Sequence, residues 1–240
     1  MHKPPICHTT PRLELLREYA ANASAAGTYT AADIGCDHAY LSILLASSNT
    51  CAKVIASDIA TGPVDKARAN IARFGMDSRI DLRQGDGLSA LAIGEADTII
   101  IAGMGGRVIA DILHTHPQTA KSAQKLILQP MTYANHLRRY LYENGYAIAA
   151  EDLVMEDRRI YSVITVVAGN TPQFSEADTY LSPALLKSGS PLLEEFILRR
   201  LNETQKILAG LRQGNASDAE MSRYQQLAED IQRLYKETII

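Results

Sequence analysis

The chain has 240 residues, with 24 lysine and arginine residues against 27 aspartate and glutamate residues, and a formal net charge of −3. Its length is enough to bury one full hydrophobic core with a smaller appendage, and its 46% hydrophobic content is that of a soluble globular protein. No apolar run is long enough to span a bilayer, and the charge balance counts mildly against a strong nucleic-acid binder, although it allows a local basic face.

The cysteines and the N-terminus predict the compartment. Cys7, Cys36 and Cys51 are an odd set without C-x-x-C spacing, which favours a reducing compartment over a disulfide framework or a zinc site. Residues 1–11 contain no apolar segment of the kind found in a secretory signal. We therefore expect a cytoplasmic protein with no metal ion and no membrane partner.

The chain begins with a predicted helix, strand and second helix. Apolar residues at helical spacing indicate a helix over residues 12–26, which Gly27 ends. A buried strand over Thr30–Ile34 leads into a tight turn at Gly35, and the next helix begins near Tyr40. A strand, turn and helix near the N-terminus is the place where an open α/β sheet binds a nucleotide-like ligand.

Strands and helices then alternate along the chain. The further strands are predicted over residues 54–57, 80–83, 97–101, 125–128, 147–154 and 160–167. The helices between them are predicted to begin at Thr61, Arg107 and Thr132. This alternation predicts a parallel sheet with helices on both faces, and the last two strands, with no helix between them, must form an antiparallel hairpin at one edge. Such a seven-stranded, Rossmann-like α/β sheet is the layout of class I methyltransferases that use S-adenosylmethionine (SAM).

A change of composition follows the sheet. Residues 169–191 are rich in serine, threonine, proline and glycine, which indicates a linker with one helical turn. From Leu193 onward, apolar residues recur at spacings of three or four, and Ser217-x-x-Glu220 is a capping box for a second helix. We therefore predict a methyltransferase domain over residues 1–168, a linker over 169–191 and a coiled-coil-like helical hairpin over 192–240.

The turn after the first strand indicates which ligand the sheet binds. A pyrophosphate cradle needs several glycines, whereas here Cys36-Asp37-His38 follows the single Gly35. Asp33 and Asp37 would repel a pyrophosphate, but they suit a cation. SAM carries a sulfonium and an ammonium group and no phosphate, so it fits this turn.

Two acidic residues at later strand ends fit the nucleoside part of SAM. Asp58 ends the second strand, where a carboxylate accepts both ribose hydroxyls in dinucleotide-binding folds, and Ile59 beside it is assigned to the same site. Asp86 precedes Gly87 after the third strand, where its carboxylate can accept the adenine N6 amine. The alternatives are a cap for the helix at Thr61 and an ordinary Asp-Gly turn.

Polar residues of the first turn have candidate roles in binding and catalysis. Asp33 or Asp37 is expected to hold the ammonium group of SAM, directly or through water, and the alternative is an aspartate that accepts from amides of its own turn. His38 stands at a helix start, where histidine is more often a packing or capping residue, although its near-neutral pKa makes it a usable proton acceptor.

A second candidate segment, Gly103-Met104-Gly105-Gly106, follows the strand whose end lies beside the transferred methyl group in this fold. The glycines permit positive φ and close backbone approach, and Met104 can wall off the cofactor or the target base. The alternative is a tight turn whose glycines only avoid steric clash. Gln129-Pro130 closes the fifth strand on the same rim.

Three segments together carry a family resemblance: Asp33-Ile34-Gly35-Cys36-Asp37-His38-Ala39-Tyr40-Leu41, Ala102-Gly103-Met104-Gly105-Gly106 and Leu128-Gln129-Pro130. In this order they resemble the bacterial tRNA (adenine(22)-N1)-methyltransferase family, the TrmK family. The resemblance covers about residues 12–168 and continues into the hairpin, which that family carries as a C-terminal coiled-coil-like domain. It implies a class I methyltransferase fold, SAM as cofactor, tRNA as substrate and 1-methyladenosine at position 22 of the D-arm as product.

The residues suit this chemistry. N1 of adenine attacks the methyl carbon with its in-plane lone pair, so the enzyme needs no nucleophile and acts mainly by positioning. Methylation leaves the base cationic, and a carboxylate such as Asp37 would stabilise the developing charge. Asp37, His38 and Met104 are therefore predicted to lie closest to the methyl transfer, and Tyr133 or Met104 is a candidate to stack on the target base. The predicted cofactor-binding residues are Asp33, Gly35, Asp37, Asp58, Ile59, Asp86, Gly87, Gly103 and Met104.

Two other functions are compatible with the sequence. One is a methyltransferase of small molecules or proteins in which the hairpin is a dimer interface. The other is a non-catalytic SAM-binding protein that recruits a partner through the hairpin. The sequence leaves both a monomer and a homodimer open.

Overall fold

The computed structural model describes residues 9–21, 27–171, 173–214 and 216–240. The strands are β1 (Tyr29–Ile34), β2 (Cys51–Asp58), β3 (Ile80–Gln84), β4 (Thr98–Gly105), β5 (Lys125–Thr132), β6 (Tyr146–Glu156) and β7 (Arg159–Ala168). They form one sheet in the order β3-β2-β1-β4-β5-β7-β6. The first five strands pair in parallel, and β7 pairs antiparallel with both β5 and β6, so the predicted sheet and its edge hairpin are confirmed.

Helices cover both faces of this sheet. They are α1 (Pro11–Ala21), α2 (Tyr40–Ala46), α3 (Thr61–Arg73), α4 (Gly106–Thr115), α5 (Pro117–Ser122), α6 (Ala134–Glu143), α7 (Glu176–Tyr180), α8 (Pro183–Leu186), α9 (Leu193–Gln213) and α10 (Asp218–Ile239). One hydrophobic cluster packs α1, α2 and α3 on one face, and a second packs α4 and α6 on the other. Ile100 belongs to the first cluster and Ile99 and Ile101 to the second, as expected of a strand buried on both sides.

The strand order reverses at β1. β1 lies between β2 and β4. The chain first adds β2 and β3 on one side of β1 and then returns to add β4 and β5 on the other side. A crevice opens outside the carboxyl ends of parallel strands at such a reversal. The predicted ligand-binding turn after Ile34 lies at this point.

Two strands extend through segments that the sequence had assigned to turns or caps. β4 continues to Gly105 and β5 to Thr132, so the predicted glycine turn is wrong in its first three residues, which form an irregular strand end. The predicted Thr132 cap is also wrong, because the N-cap of α6 is Tyr133, which makes no side-chain cap hydrogen bond. Pairing of Met104 with Pro130 and of Gly105 with Thr132 continues the ladder beyond the apolar runs that marked both strands.

Two predictions near the N-terminus fall partly outside the described residues. In the described part of the chain the first helix ends at Ala21, so nothing tests its predicted extension over residues 22–26. Cys7 also lies outside them. Cys36 and Cys51 are buried free thiols.

The segment over residues 169–191 contains two short helices where one helical turn had been expected. Ser175 and Asp178 form a reciprocal capping box at α7, and the Ser182 hydroxyl accepts from the Leu185 amide at 3.0 Å at α8. The serines that suggested a linker therefore act as caps. Leu181 and Leu185 are fully buried, so this segment packs onto the rest of the chain.

The predicted helical hairpin is formed by α9 and α10. Ser217 caps α10, with its hydroxyl accepting from the Glu220 amide at 3.2 Å, which is the serine half of the predicted capping box. Phe196, Ile197 and Ile231 share a hydrophobic cluster with Leu153 of β6, which anchors the base of the hairpin beside the sheet. Neither arm, nor any other helix in the described part of the chain, is long and apolar enough to cross a membrane.

A buried ion pair connects α6 to these later elements. Arg138 of α6 donates to Glu151 of β6, with the two side chains 1% and 0% exposed. The Arg138 guanidinium also donates to the Thr179 carbonyl at 2.9 Å, and the Ser182 hydroxyl donates to Glu151 at 2.6 Å. Removing one member of such a pair leaves the other charge buried without compensation.

We therefore expect Arg138→Ala to destabilise the protein by about 3–5 kcal/mol, the range for breaking a buried ion pair. Urea unfolding followed by circular dichroism measures this loss. The matched control is Arg233→Ala, since Arg233 is 60% exposed and pairs with Asp230 on the surface of α10, where the loss should stay within about 0.5 kcal/mol. Equal stabilities of the two variants would contradict a structural role for the buried pair.

Candidate active site

A cavity of about 290 Å³ opens at the reversal of the strand order. It is lined by Arg12 and Leu13 of α1, by residues around the first turn and by the ends of β4 and β5. Five of the predicted site residues lie in its wall: Asp33, Gly35, Asp37, His38 and Gly103.

The first turn is held in a conformation that few residue types adopt. Gly35 has φ +73°, and its amide and that of Cys36 donate to the Ser57 carbonyl at 2.7 and 2.9 Å. A Cβ at Gly35 would lie 2.0 Å from the Met104 methyl group. Asp37 and Ala39 also have positive φ, at 46° and 59°. Non-glycine residues persist in this region only where their surroundings enforce it, and such residues cluster at functional sites.

Asp58 joins the turn after β1 to the turn after β2. One carboxylate oxygen accepts from the Asp37 amide at 3.1 Å and the other from the Ala60 amide at 3.0 Å. The alternative predicted for Asp58, a cap near the start of α3, is therefore present in part. A carboxylate offers about four lone-pair sites, so two remain for hydroxyl donors.

The two aspartates of the first turn differ in their surroundings. Asp33 is 3% exposed and accepts from the Ser42 hydroxyl at 2.6 Å. Burial raises the pKa of Asp33 to about 6, and the Ser42 hydrogen bond opposes this shift. The Asp37 side chain is 71% exposed and lies 3.5 Å from Nε2 of His38. Asp33 thus forms the buried floor of the site, and Asp37 its open rim.

Of the other predicted residues, Met104 lies against Gly35 and Asp58 accepts from the Asp37 amide, so both border the first turn without lining the cavity. Asp86 and Gly87 line a second cavity of about 220 Å³ beside Val108 and Ile112 of α4. Ile59 is 61% exposed, next to Asp58. The structure thus groups the first-turn residues with Gly103 and sets the predicted adenine contacts at a separate opening.

The glycines at the end of β4 have different roles. Gly103 has φ +77° at the irregularity in the β4–β5 ladder. Gly106 begins α4, and a Cβ there would lie 2.4 Å from the Tyr133 carbonyl oxygen and 2.9 Å from that of Thr132. Gly106 therefore allows α4 to pack directly on the backbone after β5, which is the steric alternative that the sequence had left open.

Sequence reasoning missed a polar network around Gln129, which is fully buried. Its side-chain oxygen accepts from Nη1 of Arg12 at 3.0 Å and from the Gly103 amide at 3.1 Å. Nε of Arg12 also donates to Glu156 of β6 at 2.7 Å. Burial tends to raise the pKa of Glu156, but hydrogen bonds from Arg12 and Thr10 outweigh it and lower this pKa. The one sequence feature that could have indicated this network is an amide side chain directly after the apolar run of β5, since a buried amide needs hydrogen-bond partners.

A cation–aromatic pair stands at the ends of β4 and β5. The Arg107 guanidinium lies 4.2 Å from the centroid of the Tyr133 ring. Tyr133 has φ +53° and is 55% exposed. A half-exposed aromatic ring in an enforced conformation at this edge of the sheet is available for stacking.

The site does not suit a pyrophosphate, because its single-glycine turn presents Asp33 and Asp37 where phosphates would have to lie. It suits a cationic nucleoside, with a buried carboxylate in the floor and Asp58 at the end of β2. No group of three or more histidine, cysteine or acidic side chains that suits a metal ion occurs among the described residues. Within a seven-stranded sheet that ends in an antiparallel hairpin, these features define a class I SAM-dependent methyltransferase.

Comparison with known proteins identifies the family within this class. A model of the tRNA (adenine(22)-N(1))-methyltransferase family matches residues 31–237. The chain is 34% identical over 233 residues to the tRNA (adenine(22)-N(1))-methyltransferase of Bacillus subtilis, with 95% of both chains covered. The chain belongs to this family, as its three characteristic segments predicted.

Solved structures agree with this assignment. The crystal structure of the B. subtilis m1A22 tRNA methyltransferase TrmK matches with a TM-score of 0.81 and 32% identity, covering 98% of this chain and 100% of that one. A putative tRNA (m1A22) methyltransferase of Streptococcus pneumoniae, solved in complex with S-adenosyl-L-methionine, matches with a TM-score of 0.81 and 28% identity, covering 95% and 100%.

The packing at Gly106 gives a direct test of the site's scaffold. We expect Gly106→Ala to destabilise the protein by about 1–3 kcal/mol, because the added methyl group must push α4 away from the backbone after β5. Thermal and urea unfolding measure the change. The control is Gly210→Ala within α9, where a Cβ meets nothing within 4 Å and the better helix propensity of alanine should be neutral or stabilising. A Gly106→Ala protein as stable as wild type would contradict the close approach.

Proposed function

We propose that this protein transfers the methyl group of SAM to N1 of adenine 22 in the D-arm of tRNA, giving 1-methyladenosine. The observation that carries the proposal is the cavity at the β1 reversal, whose buried and rim carboxylates suit a cationic nucleoside in a member of this family.

The cofactor-binding roles follow from the position of each residue. Asp33 in the floor is proposed to receive the ammonium group, while the left-handed Gly35 keeps side-chain atoms out of the cofactor's path. Asp58 is proposed to accept from the ribose hydroxyls through its free lone pairs, with the exposed Ile59 packing on the nucleoside. At the second cavity, Asp86 and Gly87 are proposed to contact the adenine edge.

SAM, when bound, supplies the electrophilic methyl group, and the protein's residues orient the acceptor base. N1 of adenine carries no proton to remove, so the reaction needs alignment rather than a general base. The exposed carboxylate of Asp37 is proposed to stabilise the positive charge that develops on the base, with His38 beside it. Met104, which lies over Gly35, is proposed to pack against the base and hold it beside the cofactor.

Adenine 22 has to leave the stacked core of the tRNA to reach this site, at a cost of a few kcal/mol. We propose that the ring of Tyr133, supported by Arg107, stacks on the flipped base. We propose that the chain divides into a methyltransferase domain over residues 1–168, a linker over 169–191 and the hairpin of α9 and α10. The hairpin is proposed to bind the side of the D-arm that the methyltransferase domain does not contact. A cytoplasmic location is proposed as well, since the two described cysteines are free thiols.

The proposed substrate is tested with labelled SAM and two unmodified tRNAs that differ only in adenine or guanine at position 22. Label should enter the first tRNA and not the second, because guanine N1 carries a proton and has no lone pair to attack. Label in both would refute the site of methylation. Label in neither would favour a small-molecule or protein substrate, or a non-catalytic SAM-binding protein.

The proposed ribose contact is tested by Asp58→Ala, which should weaken binding of SAM by about 10- to 100-fold, the range for hydrogen bonds to a charged group. Titration calorimetry measures the dissociation constant. Asp65→Ala removes an exposed carboxylate of α3 and should leave the affinity unchanged. Unchanged affinity of the Asp58 variant would contradict the proposed ribose contact.

A further inference from the structure

The turn between β6 and β7 places an arginine where glycine is the preferred residue. Glu156 pairs with Arg159 across the two strands, so the loop consists of Asp157 and Arg158 alone. Their φ angles are 48° and 63°. Positive φ at both central residues is the mark of a type I′ turn, which favours asparagine or aspartate followed by glycine. Asp157 fits this preference, whereas Arg158 is a long side chain in a strained backbone conformation.

The β6–β7 turn lies at the edge of the sheet that carries the candidate site. β7 runs antiparallel to β5, with Leu128 opposite Ile164, so β7 begins near the place where β5 ends. Glu156, directly before the turn, accepts from Arg12 in the cavity wall at 2.7 Å. Tyr133, which is proposed to stack on the flipped base, follows β5 at the same edge. The turn is therefore beside the opening that a target base has to enter.

Helix α9 holds the backbone of this turn. Nη1 of Arg199 donates to the Arg158 carbonyl at 3.2 Å. Ile160, the first residue after Arg159, packs against the hydrophobic cluster that contains Phe196 of α9. The backbone from which the two arginines project is thereby fixed, so a ligand that binds them does not have to order the loop.

The side chains of Arg158 and Arg159 are exposed and have no acidic partner. Neither forms a hydrogen bond or an ion pair with any residue in the described part of the chain. Several arginines of the α9–α10 hairpin, by contrast, pair with acidic side chains, namely Arg199, Arg200, Arg223 and Arg233. Unpaired cations keep their full attraction for a polyanion, whereas a paired arginine must first give up its partner.

The chemistry of the turn fits the phosphates of a polynucleotide. A base that enters the cavity leaves its own phosphate and those of its neighbours outside, at the rim. The planar fork of a guanidinium matches two oxygens of one phosphate. Phosphate contacts of this kind fix the register and orientation of a nucleic acid without reading its sequence. A strained arginine at this position thus supplies a donor group that the unstrained glycine could not.

We propose that Arg158 and Arg159 bind backbone phosphates of the substrate tRNA beside the flipped adenine and so place this base at the cavity. The proposal rests on the tRNA substrate proposed above. It also accounts for RNA binding by a chain with a net charge of −3, because unpaired cations at one rim replace a generally basic surface.

The test uses Arg158→Gly, which removes the cation and relieves the backbone strain. Its Tm should be no lower than that of wild type, because glycine adopts positive φ freely. Affinity for unmodified tRNA, measured by fluorescence anisotropy, should fall about tenfold. Between about 50 and 200 mM KCl, the slope of log K against log salt concentration should decrease by about 1. The KM for tRNA should rise by the same factor, while kcat and the affinity for SAM stay unchanged.

Three further variants complete the design. Arg159→Gln should decrease the salt slope by about 1 as well, and Arg158→Lys, which keeps the charge, should preserve it. The matched control is Arg68→Ala. Arg68 is an exposed arginine of α3 that lines a cavity with Ile80, the first residue of β3, at the opposite edge of the sheet. Its removal should change neither the affinity for tRNA nor the salt slope.

Two results would overturn the role of the turn. One is wild-type tRNA affinity in both Arg158→Gly and Arg159→Gln, and the other is weaker binding with an unchanged salt slope, which would show that the lost contact was not ionic. Wild-type protein that neither binds nor methylates tRNA would instead overturn the proposed substrate. Methylation of tRNA by wild type together with unaffected variants would leave that substrate intact and refute the phosphate contacts alone.

Discussion

The parallel alignment of β1, β2 and β4 is the constraint on which the rest of the site depends. These three strands end at the same edge of the sheet, so the turns after Ile34 and Asp58 come together with the end of β4. Asp58 then ties two of these turns together by accepting from the Asp37 and Ala60 amides. Asp37, whose amide donates to Asp58, has a positive φ of 46°.

Buried polar side chains hold the parts that the sheet itself does not position. Gln129 links α1 to the irregular end of β4 through one side-chain oxygen, and the ion pair between Arg138 and Glu151 ties α6 to β6 and to the segment that carries α7 and α8. The hydrogen-bonded partners in these networks lie between 13 and 117 residues apart along the chain. Since an unpaired buried charge or amide is costly, each network allows few alternative arrangements of its elements.

The residues of the first turn also explain why this sheet suits SAM rather than a dinucleotide. The backbone of a glycine-rich loop binds phosphates, whereas this first turn offers one glycine and carboxylates at the floor and the rim. Membership of the tRNA (adenine(22)-N(1))-methyltransferase family then narrows the acceptor to one base in one class of RNA.

The sequence by itself determined the sheet, its antiparallel edge, the helical hairpin and the candidate residues of the first turn, because apolar periodicity, glycine positions and strand-end carboxylates are local signals. It indicated the family through the resemblance of three short segments. Only the tertiary structure decided that Gly103-Met104-Gly105 continues a strand, that Gly106 is needed for helix packing and that Asp86 lines a separate cavity. It alone showed that Arg12 lines the cavity, since no local pattern in the sequence distinguishes a helical arginine that lines a cavity from one that points into solvent. Its orientation is set by Gln129 and Glu156, which lie 117 and 144 residues away along the chain and meet it only in the folded sheet.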